Sequence, residues 1–127
     1  MAKFIAENQD DAEFGELLLP LAKAFGKLQQ ATGYIAQKGL VNPDEAGAAS
    51  SPYLRMFALV AIGFMWLKMA KVAKAKLAEG GDKAGFYGSK VKTARFFMTK
   101  ILPEAETHFR TIMAGAKPLM DFAVDEF

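Results

Sequence analysis

The chain has 127 residues, 52% of them hydrophobic and 24% charged, which is the length of one domain and a globular rather than a disordered composition. Sixteen basic against fourteen acidic residues leave a net charge of +2, so the charge balance carries no nucleic-acid footprint. The absence of cysteine excludes a disulfide scaffold, a thiol nucleophile and a thiolate metal site, and it suits a reducing, cytoplasmic setting.

Eleven Phe and seven Met supply much of the core volume, while Val and Ile are too sparse to argue for a sheet. Helix is therefore the expected material. The N-terminus, Met1-Ala2-Lys3-Phe4 followed by acidic and polar residues, lacks the apolar stretch of a secretory signal. The uncharged run over residues 56–67 is closed by Arg55 and Lys68, short of the roughly 20 residues that a span requires. It reads as a core helix.

Placing residues at 100° intervals segregates charge from apolar side chains in four successive segments. In the first, Phe14, Leu18, Leu21, Phe25, Leu28, Thr32 and Ile35 share a face opposite Glu16, Lys23 and Lys27, and Gly39 is a natural stop. Pro20 lies inside this pattern, where the missing donor and the ring predict a kink or a late start, the kink being favoured.

The second segment has two possible starts. Asn42-Pro43-Asp44-Glu45 offers a cap, a proline at the first helical position and a glutamate three residues after the cap, and Ser51-Pro52 offers a later one. Beyond them Ile62, Met65, Trp66, Met69, Val72, Ala73 and Leu77 form one face, with Lys68, Lys71 and Lys74 to the other side. Residues 57–64 are apolar all round, which predicts neighbours on every side. Gly80-Gly81 ends the segment and Asp82 can cap the next.

The third segment aligns Tyr87, Val91, Ala94, Met98, Ile101 and Leu102, with Lys92 and Lys100 outside the stripe. Pro103 marks a boundary or bend. The fourth aligns Ala105, Phe109, Ile112, Met113, Ala116 and Met120, its last turns weakened by Gly115 and Pro118. Short connections between the segments predict an all-α, up-down bundle of about four helices, formed by residues 1–127 as one domain.

None of the candidate chemistry converges. His108, the only histidine, lies at the edge of the fourth apolar face and reads as a partly buried structural or interfacial residue. Asp10-Asp11, Asp44-Glu45, Glu104 with Glu106, and Asp125-Glu126 sit at predicted helix starts or at the terminus, where carboxylates complement the helix dipole. No helix carries the Glu-x-x-His pattern of a di-iron bundle. Gly80-Gly81-Asp82-Lys83 and Gly85-Phe86-Tyr87-Gly88 lack the spacing and strand context of phosphate loops and read as turns. Lys68, Lys71, Lys74 and Lys76 read as a solvated face, with anion binding the sharper alternative. Met65, Trp66 and Met69 read as core, with a sticky interaction patch as the alternative. The residues thus name no catalytic, cofactor-binding or metal-ligating position.

A family resemblance adds to this. Tyr53-Leu54-Arg55-Met56-Phe57-Ala58-Leu59-Val60-Ala61-Ile62-Gly63, continuing to Trp66 and Ala70, resembles a segment near the end of certain acyl-CoA dehydrogenases. Lys92-Thr93-Ala94-Arg95-Phe96-Phe97 with Leu102-Pro103, and then Ala114-Gly115-Ala116 with Leu119-Met120, are similar to the two blocks that follow. Together they cover almost the whole chain, and they resemble the helical domain appended after the body of the long bacterial type of acyl-CoA dehydrogenase, the acetyl-CoA dehydrogenase-like C-terminal domain.

The resemblance implies a C-terminal fragment of a longer enzyme that uses FAD in the α,β-dehydrogenation of an acyl-CoA, the oxidoreductase chemistry of fatty acid metabolism, and passes electrons to an electron-transfer flavoprotein. The flavin, the base and the CoA groove would belong to the body, so this piece is expected to hold no cofactor and to do no chemistry. Its expected partners are the remainder of the dehydrogenase chain and neighbouring subunits, with homo-oligomerisation possible and neither nucleic acid nor a membrane span expected. The alternative is a stand-alone helical interaction or dimerisation module working through Met65, Trp66 and Met69.

Overall fold

The computed structural model describes residues 1–81 and 85–126. In chain order it contains α1 (Ala2–Ala6), α2 (Ala12–Gly39), α3 (Pro43–Ala78), α4 (Phe86–Phe96), a π-helical turn (Phe97–Ile101), α5 (Glu104–Met113), α6 (Lys117–Met120) and a 3₁₀ turn (Val124–Glu126). It is an all-α bundle.

The Asp11 side chain caps α2, accepting the Phe14 N–H at 3.0 Å. The helix then runs through Pro20, which excludes the late start; the donor removed there would have served the carbonyl of Glu16, an exposed residue. It ends at Gly39, where the missing side chain allows close approach: a Cβ there would lie 3.1 Å from that of Ala46 on α3. Of the two possible starts for α3, the chain uses the first, with Asn42 accepting the Asp44 N–H and Pro43 at the first helical position. Pro52 is absorbed inside the helix. At the far end Gly80, with φ +83°, takes the left-handed position of a Schellman closure, in which the Gly81 N–H reaches the Lys76 carbonyl. The cap expected from Asp82 lies outside the described residues, as does Lys83.

The order of contacts along α3 sets the topology. Gly63 packs on Leu21 of α2 and on Phe97 and Met98 of the π turn. Glu45, near the start of α3, meets Ala116, and Trp66 lies beside Lys90. Partner numbers therefore fall as α3 numbers rise, so α3 is antiparallel both to α2 and to the run from α4 through α5. The fourth segment continues the third along α3. The π turn joins them, closed by the Leu102 N–H on the Phe97 carbonyl; its wider register accommodates Pro103, whose ring would clash with the carbonyl four residues back in a regular helix.

The core is the shared interior of these rods: Phe14, Leu17, Leu18, Leu21 and Leu28 from α2, Met56, Val60 and Leu67 from α3, and Met98, Leu102, Ala105 and Ile112 from the remainder. Helix α1 closes one end through Phe4, whose ring meets Phe14 and Phe64 edge-on at 6.1 and 5.3 Å.

The first segment's face holds except at Thr32, which is exposed and bonds the Leu28 carbonyl and the Tyr53 hydroxyl. The face of the second does not. The buried residues of α3 are Ala49, Met56, Val60, Gly63, Leu67, Ala70 and Ala73, while Ile62, Met65, Met69 and Val72 are exposed. The apolar girdle hid the true phase, and the neighbours expected all round residues 57–64 are present on one side only. In the fourth segment Met113 and Met120 are likewise exposed rather than core. Length and composition alone would let α3 cross a bilayer, because Arg55 and Lys68 sit inside a helix of 36 residues; here it packs on α2, α4 and α5.

Candidate functional site

The polar candidates are distributed among separate structural tasks. His108 has a side chain only 13% exposed, its Nε2 3.2 Å from Glu104 Oε1 one turn earlier. Glu106 joins two helices by pairing with Lys27 of α2, and it also meets Arg110 at 3.4 Å. The hydrogen bond from Lys27, with the charges of Lys27 and Arg110, holds its carboxyl below the usual carboxylate range. Glu45 Oε2 accepts the Ala116 N–H at 3.0 Å, and the space beside it is kept by Gly115, at φ +74°. Among the described residues no group of three His, Asp or Glu side chains is placed to share a metal ion.

Three of the α3 lysines meet separate partners. Lys68 lies over Phe64 and Lys71 over Phe4, each about 5.7 Å from the ring centre, and Lys76 pairs with Glu79 at 2.8 Å. Phe86 opens α4 after Gly85, at φ +75°, as a turn-to-helix start.

Two grooves remain. One, of about 480 Å³, lies between α2 and the π turn with α5, floored by Met56, Met98 and Leu102, with Lys23, Lys27 and Glu106 at its mouth. The other, of about 380 Å³, lies between α3 and α4 and is lined by Met65, Met69, Val72 and Phe86, with Lys68 and Lys90 on its rims. It opens onto a longer feature. Leu54, Ala58, Ala61, Met65, Met69 and Val72 recur at helical spacing on the side of α3 away from the core, flanked by Phe57 and Ile62. Eighteen steps of 1.5 Å from Leu54 to Val72 make this stripe about 27 Å long. Leu54 is 69% exposed, Met65 52% and Met69 40%, so the core reading fails for Met65 and Met69, while Trp66 is half-buried under the Lys90 ammonium. The sequence reading missed Leu54, Phe57 and Lys90 as parts of this surface; the available signal was the apolarity of α3 on every side.

Among the described residues every buried side-chain nitrogen or oxygen has a hydrogen-bond partner, and Lys27 and Glu106 at the mouth of the groove beside α2 pair with each other.

No curated protein matches the chain. A family model described as "Acetyl-CoA dehydrogenase C-terminal like" matches residues 1–123. With nearly all of its length matched, the chain belongs to the acetyl-CoA dehydrogenase C-terminal-like family.

Proposed function

We propose that this chain is the accessory C-terminal domain of an FAD-dependent acyl-CoA dehydrogenase, where it serves packing and subunit assembly while the α,β-dehydrogenation of the acyl-CoA, and electron delivery to an electron-transfer flavoprotein, belong to the rest of the enzyme. The observation that carries this reading is the 27 Å stripe of α3, about that length by its helical rise, which the described residues leave exposed. A contiguous apolar strip of this kind marks an interaction surface rather than scattered surface hydrophobes. It is built from α3, the helix that also packs against α2, α4 and α5, so it is held rigidly, as a docking face requires.

The test is purification of the tagged chain from its native host, followed by identification of any attached or co-purifying polypeptide and its absorbance spectrum. The expected result is an acyl-CoA dehydrogenase body carrying flavin that bleaches on addition of acyl-CoA. The double variant L54E/M65E, altered only at exposed positions, should keep its helical circular dichroism and lose the non-covalent part of that association or the native subunit stoichiometry. A chain recovered without any flavoprotein, from a gene that encodes no dehydrogenase body, would overturn the proposal.

A further inference from the structure

The groove between α3 and α4 and the segment from Leu119 to Glu126 are apolar surfaces of opposite charge. Lys68 and Lys90 on the groove's rims lie over aromatic rings and meet no carboxylate among the described residues. In the tail, Leu119, Met120 and Val124 are exposed, Val124 by 94%. Asp121 and Asp125 stand among them and meet no cation among the described residues, whereas Glu126 turns back to accept the Ala123 N–H at 2.6 Å.

The tail cannot fill the groove of its own chain. Ala116 is tied to Glu45 near the start of α3. Met69 lies 24 positions beyond Glu45, about 36 Å along a helix, whereas the eight residues from Ala116 to Val124 reach about 28 Å even when fully extended, and α6 shortens them further. The occupant with the matching chemistry is a second copy.

We propose that the tail of one copy seats in the α3–α4 groove of another, with Asp121 and Asp125 facing Lys68 and Lys90, and Leu119, Met120 and Val124 entering beside Met65 and Met69. This rests on the assembly reading above and names the partner of one part of that surface. Tail and groove are different patches of one chain, so the contact is heterologous and closes as a reciprocal pair or a ring, or stays open.

The experiment is sedimentation velocity on the full chain across a concentration series, at low and high salt, with two charge-reversal variants, K68E/K90E and D121K/D125K. Lys68, Asp121 and Asp125 are exposed and Lys90 is partly buried, and circular dichroism checks that the helices persist. The wild type should self-associate less at high salt, and each variant alone should associate at least about tenfold more weakly. An equal mixture of the two variants should associate again, because each tail then meets a groove of opposite charge. A wild type that stays monomeric throughout, reversals without effect, or a mixture that fails to associate would each overturn the tail–groove contact. None of these readouts involves a flavoprotein, so failure here with flavoprotein association intact sinks this contact alone.

Discussion

Gly63 stands where α3 approaches both α2 and the π turn, and substitutions there should change sign with size. A Cβ built at this position lies 3.4 Å from Leu21 Cδ1, Met98 Cε and Phe97 Cε1. That is ordinary van der Waals contact, so Gly63→Ala adds a methyl without displacing its neighbours. Replacing glycine by alanine inside a helix gains about 1 kcal/mol. The alanine variant should therefore be more stable by about 1 kcal/mol, raising Tm by about 3–5 °C for a domain of this size. Gly63→Val sends two further methyls into space that those three side chains already occupy. Overpacking of this kind costs about 1–3 kcal/mol, against a propensity gain over glycine of only about 0.4 kcal/mol, so the variant should lose about 1–2 kcal/mol. Urea unfolding followed by far-ultraviolet circular dichroism measures both. An alanine variant destabilised by more than about 1 kcal/mol, or a valine variant as stable as the wild type, would show that the packing around Gly63 has been misjudged.

The Lys27–Glu106 pair links α2 to α5, and its pH dependence has a definite sign. The folded carboxyl lies below its ordinary value of 4.5 because of the Lys27 hydrogen bond, so its contribution to stability is present above that value and is lost as the pH falls through the lower, folded one. Unfolding of wild type and E106Q compared from neutral to acid pH should show a difference that shrinks as the carboxylate is protonated; a difference independent of pH would contradict the assignment. At the other end of α5, Gly115→Ala would place a Cβ in a left-handed conformation 3.1 Å from both Glu45 Oε2 and Tyr34 Oη. The conformation alone costs about 1–2 kcal/mol, and displacing Glu45 removes the acceptor of the Ala116 N–H. Amide exchange at Ala116 should accelerate while core amides of α3 change little, and unaltered protection there would mean that Glu45 does not hold the segment.

The helices were legible wherever the chemistry was local. Asp11, Asn42-Pro43 and Gly80 act on the backbone within a turn, and the chain starts or stops at each of them. The face of α2 was legible because Glu16, Lys23 and Lys27 leave one side for the core. On α3 the periodicity failed, since residues 56–67 hold no charge to fix the phase, and only contact with Leu21, Phe97 and Met98 selects the side on which Val60 and Gly63 are buried. The π turn was illegible for a different reason: Pro103 announces a bend but does not say that the widened register lies before it. The exposed stripe could not be told from core because apolar side chains at helical spacing read the same whichever side of the helix they occupy.

That same ambiguity bears on what the stripe can do energetically. Leu54, Phe57, Ile62, Met65, Met69 and Val72 are between 40% and 69% exposed. Burying a large apolar side chain completely is worth about 1.5–3 kcal/mol, so covering what remains open on six of them is worth about 5–9 kcal/mol. Association between free molecules costs an estimated 4–15 kcal/mol in lost translational and rotational freedom, which offsets from about half of that gain to all of it. A surface of this size is therefore weak between separate partners. A tethered partner would meet it more often, because a linker replaces free association with an effective concentration in the millimolar range. The apolar face of α3 is accordingly better matched to a neighbouring domain of one polypeptide than to an independent dimer, which favours the accessory-domain reading over a stand-alone dimerisation module. Under the same arithmetic the tail–groove contact needs its opposed charges, because Leu119, Met120 and Val124 bury too little to hold two copies together alone.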